Sequence, residues 1–87
     1  MTHSIRFAPA AQREFDRLPR EARRRLRPRI DALAEEPRPQ GAKTLSGLKG
    51  ALAIRVGDYR VVYRVDGEQL EVLIVRVAHR REVYRRL

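Results

Sequence analysis

The stretch Ala53-Ile-Arg-Val-Gly-Asp-Tyr-Arg-Val-Val-Tyr63 decides how this chain folds. Apolar and polar residues alternate on either side of Gly57-Asp58, the pattern of two strands joined by a two-residue turn. With that turn, Val56 pairs with Tyr59, Arg55 lies directly opposite Arg60, and both arginines point to one face. Like charges facing each other across a sheet cost from a few tenths to about 1 kcal/mol, so a purely structural hairpin gains nothing from the arrangement. A bound polyanion would compensate it.

Beyond this hairpin the period-2 pattern continues. Leu52, Ile54 and Val56 share one face of the first strand, and Tyr59, Val61, Tyr63 and Val65 share one face of the second. Asp66-Gly67 marks another hairpin, and residues 70–77 form a last long strand that is apolar on both faces and therefore expected to be central. Upstream the period is 3.6. Residues 5–7 suit a short first strand, and Pro9 sits where a first helical position tolerates a missing N–H. Ala11, Phe15 and Leu18 give a first helix its apolar stripe, and Pro19 ends it. A second helix is expected from Arg20 to Glu36, with Ala22, Leu26, Ile30, Leu33 and Ala34 on one side and Arg23, Arg24, Arg25, Arg27 and Arg29 mostly on the other. Pro28 predicts a kink or break there. Residues 37–41 are irregular, and residues 79–87 are expected to form a short basic helix. The class is α+β: an N-terminal strand and helical hairpin packed on a mainly antiparallel four-stranded sheet.

The chain has 87 residues, so a single domain spanning 1–87 with one modest core is expected. Twenty Lys+Arg against eleven Asp+Glu give a net charge of +9, which favours nucleic acid, ribosomes or an acidic protein as partner. The excess is spread along both halves. Nearly all the basic residues are Arg, whose planar fork suits phosphate, although a genome's composition produces the same bias. Without cysteine there is no disulfide framework, thiol nucleophile or thiolate metal site. No secretory or membrane-spanning pattern is present, so a cytoplasmic protein without membrane association is expected.

The tail supplies His79, Arg80, Arg81 and Tyr84 directly after the last strand. If that strand pairs with Tyr59–Val65, its end returns to the Gly57-Asp58 turn, and the arginines, imidazole and phenol converge. Such a cationic pocket suits phosphodiester transfer. Arginines would neutralise the charge of a pentacoordinate transition state, and a proton-moving group would activate a ribose 2′-OH. Each residue has a plainer reading: Arg55 and Arg60 as solvated strand residues, Tyr84 as a cap on the core, His79 as a loop residue. Tyr59 and Tyr63 share the apolar alternation and belong to the core. The arginine run of the second helix reads as a solvated face or a partner surface. Lys43 and Lys49, around Leu45, Gly47 and Leu48, are weaker phosphate-binding candidates. Nothing points to a metal or a cofactor: His3 and His79 lie far apart, Asp58 and Glu82 are a sparse pair, and the glycines form no nucleotide-binding motif.

Three segments in order, Lys43-x-Leu45-x-Gly47-Leu48, then Ile54 to Tyr63, then Arg76-Val-Ala-His-Arg-Arg-Glu-Val-Tyr84, closely resemble the RelE branch of the RelE/ParE toxin superfamily, over essentially the whole chain. The resemblance implies a toxin that enters the ribosomal A site and cleaves the mRNA codon by metal-independent 2′-OH attack, leaving a cyclic phosphate and a 5′-hydroxyl. It also implies a cognate RelB-like antitoxin that blocks the site, the pair together repressing their own promoter DNA. By that resemblance Arg55 and Arg60 stabilise the scissile phosphate, Arg80 assists the leaving group and Tyr84 orients or activates the nucleophile. His79 shares the proton transfer, and Lys43, Lys49 and Arg81 bind RNA. The chain departs from the pattern at Ala53, where many relatives are basic, and at Leu52, where an aromatic is common; Lys49 is a candidate to compensate. Arginine is not deprotonated in proteins, so its work would be electrostatic and proton transfer would fall to Tyr84 or His79. Two other functions share these features: gyrase inhibition, as in the ParE branch, and ribosome or RNA binding without catalysis, consistent with Ala53.

Overall fold

Local signals set the element order. Pro9 occupies the first turn of α1 (Pro9–Arg17), where its missing N–H costs nothing, and Pro19 precedes α2 (Arg20–Ala32). Around them lie β1 (Ser4–Phe7), β2 (Lys43–Thr44), β3 (Ala51–Val56), β4 (Tyr59–Asp66) and β5 (Glu71–His79). The computed structural model describes residues 2–45, 47–48 and 50–79. The expected C-terminal helix lies outside the described residues.

The strands form one five-stranded sheet in the order β1-β5-β4-β3-β2, antiparallel except for the parallel β1–β5 pair. The expected four-stranded sheet thus gains β2, which runs along β3 with Lys43 opposite Ala53 and Thr44 opposite Leu52. Strand β5 is interior, between β1 and β4, and β4 is the middle strand. The helices cover one face. Phe15, Leu26, Ile30 and Leu33 pack there against Leu52, Ile54, Val61, Tyr63, Val72, Ile74 and Val77. The opposite face carries a smaller apolar cluster of Ala51, Ala53, Val62 and Ala78, flanked by Leu45, Leu48 and Val75.

Helix α2 stops at Ala32, short of the expected Glu36. Three-residue turns follow, with Ala34 N–H donating to Asp31 O and Glu35 N–H to Ala32 O. There is no break at Pro28; the helix runs through it. Pro28 and Arg24 are both exposed, so water can take the Arg24 carbonyl that a residue-28 N–H would otherwise bind.

Strand β5 contains one irregularity. Val62 pairs with Arg76 but Tyr63 pairs with Ile74, which leaves Val75 as a bulge residue. The extra residue reverses the alternation: Val72, Ile74 and Val77 face the helices, while Ala78 joins the opposite cluster.

Candidate functional site

The two-residue turn fixes the hairpin register, and the pairs predicted from it are present: Arg55 with Arg60, Val56 with Tyr59. Gly57 has φ +60°, a conformation that favours glycine, and a Cβ there would lie 3.2 Å from an Arg25 guanidinium nitrogen. The turn therefore runs against α2. Arg55 Nε donates to the Gly57 carbonyl at 3.1 Å, tying the guanidinium to the turn that positions it.

On the sheet face away from the helices, Arg55 and Arg60 line a cavity of about 170 Å³ with Gly41, Lys43 and Ala53. Its chemistry is uniformly cationic. Lys43 reaches it because β2 sets it directly across from Ala53, so the strand pairing brings a charge next to that small residue. Ala53 is 4% exposed. A larger groove, about 620 Å³, opens at the far end of the sheet, but Arg6 and Arg64 share it with Asp66, Glu68 and Glu71, and Arg6 is paired to Glu71 at 3.0 Å. Mixed charge makes it the poorer site for a phosphate.

His79 is placed otherwise than expected. It pairs with Tyr59, and their rings meet edge to face at 5.9 Å. Tyr59 packs against the helix-side core, and paired residues share a face, so His79 lies on that side and not with Arg55 and Arg60. Ala78 occupies the place beside Arg60 instead. The bulge at Val75 causes this. The return of β5 to the hairpin is as predicted; the convergence of the imidazole with the arginines is not. Lys49, Arg80, Arg81 and Tyr84 lie outside the described residues. Among the described residues no group of His, Asp and Glu side chains forms a metal site.

A linker contact supports the cavity from below. The buried Tyr63 hydroxyl donates to the Pro37 carbonyl at 2.7 Å, holding the segment that runs on to Gly41 and Lys43. Burial pushes the Tyr63 phenol up to about 12, against the opposing pull of the Arg38 charge.

Comparison with known proteins agrees with this architecture. A sequence model of the ParE toxin of type II toxin-antitoxin systems matches residues 5–84. Toxin RelG of Mycobacterium tuberculosis is 36% identical over 95 aligned positions, covering 99% of this chain and all of RelG. Among solved structures, the Mycobacterium tuberculosis toxin-antitoxin complex RelBE2 has a toxin-fold match with TM-score 0.80 and 30% identity, covering 91% of this chain and 99% of the other. The isolated Escherichia coli RelE toxin matches with TM-score 0.78 and 26% identity, covering 88% and 83%. The archaeal RelE–RelB complex of Pyrococcus horikoshii also gives 0.78, at 27% identity with 92% and 97% covered. The chain belongs to the RelE/ParE superfamily of type II toxins, as a toxin of the RelE type.

Proposed function

We propose that this toxin is a ribosome-dependent mRNA endonuclease that cuts the A-site codon without a metal. The facing Arg55–Arg60 pair carries the proposal. Two guanidiniums converge on a small cavity with Lys43 beside them, a placement whose repulsion a scissile phosphate would relieve. In the reaction the ribose 2′-oxygen attacks phosphorus, its proton passes to a base, the P–O5′ bond breaks, and the 5′-oxygen is protonated. The products are a cyclic phosphate and a 5′-hydroxyl. Arg55, Arg60 and Lys43 stabilise the added negative charge. With His79 on the other face, proton transfer falls to Tyr84, with Arg80 at the leaving group and Lys49 and Arg81 as further RNA contacts. The ribosome supplies the in-line geometry that so small a site cannot impose alone.

The same reading makes a RelB-like antitoxin the partner, since RelBE2 and the archaeal RelE–RelB structure are toxin-antitoxin complexes, with promoter DNA bound by the pair and a cytoplasmic site of action. The ParE-family match favours a second reading, inhibition of DNA gyrase. Purified toxin added to translating ribosomes on a defined mRNA, with 5′ ends mapped by primer extension, separates the two. Cuts at A-site codons that vanish in Arg60→Ala and Tyr84→Phe establish the nuclease. Inhibited supercoiling without cuts establishes the gyrase reading, and salt-sensitive ribosome binding without either establishes a binding module.

A further inference from the structure

Strand β1 ends at Phe7, paired with Ile74, so its pairing covers only the first half of β5. Past that point the outer edge of β5 faces α1. An edge N–H buried there needs an acceptor, and Glu14 of α1 supplies it: Glu14 Oε1 accepts from Val77 N–H at 3.0 Å. The other oxygen, Oε2, accepts from Arg76 Nε at 3.1 Å and Nη2 at 2.8 Å. The ion pair is largely sheltered, with the Arg76 and Glu14 side chains 13% and 26% exposed. All three bonds lie immediately after the Val75 bulge.

The consequence reaches Arg60, which lines the cationic cavity, through alternation. Strand phase after a bulge is set by one residue, and a one-residue slip exchanges the two faces. In the observed phase the residue beside Arg60 is Ala78, 7% exposed, on the same face of the sheet as the equally small Ala53. Had the bulge been absent, the larger Val77 would stand opposite Arg60 in place of Ala78.

We propose that Glu14 is a positioning residue of the cationic site: by accepting from Val77 N–H and Arg76 it locks the phase of β5 that keeps Ala78, and no bulkier side chain, against Arg60. Glu14 touches no substrate. It acts through the backbone of β5, whose end also launches the segment carrying Arg80 and Tyr84.

The catalytic arm of the test rests on the nuclease reading, and a second arm does not. Glu14→Ala removes the acceptor; Glu14→Gln retains an amide oxygen for Val77 N–H. On ribosomes, Glu14→Ala is expected to lower kcat by at least about tenfold with KM unchanged, and Glu14→Gln to restore most of it. Wild-type kcat in Glu14→Ala overturns the proposal, as does a loss shared equally by both variants. In parallel, NMR of the full-length chain reads Val77 amide protection and the cross-strand contact between the Arg60 and Ala78 backbones. Both should weaken in Glu14→Ala and persist in Glu14→Gln, while the helix-side core signals remain. If the wild type cuts no mRNA, the nuclease reading fails and this arm decides alone: an unchanged Arg60–Ala78 contact in Glu14→Ala sinks the phase lock.

Discussion

Tyr63 shows how one buried residue ties core to site. Its ring lies in the helix-side cluster and its hydroxyl donates to Pro37 O, so it was legible as core but its tether to the linker was not: alternation reveals which face a tyrosine takes, never what its hydroxyl meets. The pKa raised from 10.0 to about 12 has a definite sign. Below pH 10 both folded and unfolded phenols are protonated and the contribution of Tyr63 is fully present. Between 10 and about 12 the unfolded chain loses this proton while the folded one keeps it, so stability falls with a limiting slope of about 1.4 kcal/mol per pH unit. Tyr63→Phe should cost about 1 kcal/mol at neutral pH through the lost hydrogen bond and make the decline above pH 10 shallower. Urea unfolding midpoints of both proteins across pH 7 to 11 check this; parallel curves would refute it. Arg55 and Arg60 were legible for a different reason, because a two-residue turn leaves the register no freedom.

At the scale of elements, the sequence is readable where a period is long and uniform and opaque where a single residue shifts it. Val72 to Val75 are all apolar, so an inserted residue leaves no mark on the pattern, and nothing in the sequence shows that His79 pairs with Tyr59 and does not converge with the arginines. Strand β2 has only two residues and no period to detect. Glu14 did carry a signal: it lies three residues after Ala11 and four before Leu18, a carboxylate bordering an apolar stripe. Leu33 and Ala34 prolonged the apparent period of α2 past its true end. Within α2, Pro28 is tolerated without being favourable. It deprives the Arg24 carbonyl of an intrahelical donor on an exposed face, far in character from the buried side of Leu26 and Ile30. Pro28→Ala should therefore stabilise the fold by about 1 to 3 kcal/mol, since the helical penalty of proline is removed and no core contact is lost. Thermal unfolding monitored by far-UV circular dichroism measures it. An unchanged or lower midpoint would mean that Pro28 makes a packing contribution that its exposure does not suggest.

For the whole molecule, the net charge of +9 is shared between a local cavity and a general surface, and on the nuclease reading the two do separable work. Arg55, Arg60 and Lys43 surround one cavity on the open face of the sheet, whereas Arg20 and Arg24 stand exposed on the solvent side of α2, away from the buried stripe of Ala22, Leu26 and Ile30. Distributed charge raises the rate of encounter with a polyanion and is screened by salt, while charge held at a reacting phosphate lowers the barrier of the chemical step. On the nuclease reading, Arg20→Gln/Arg24→Gln should slow ribosome association at low salt and flatten its salt dependence, leaving kcat near wild type. Arg55→Gln should do the reverse, cutting kcat by about 10²-fold or more with a modest effect on association. Stopped-flow binding at several salt concentrations, with single-turnover cleavage on saturating ribosomes, reads both quantities. Equal effects of the two substitutions on kcat would mean that the α2 arginines act at the reacting phosphate as well, and that the division between steering surface and cationic cavity is wrong.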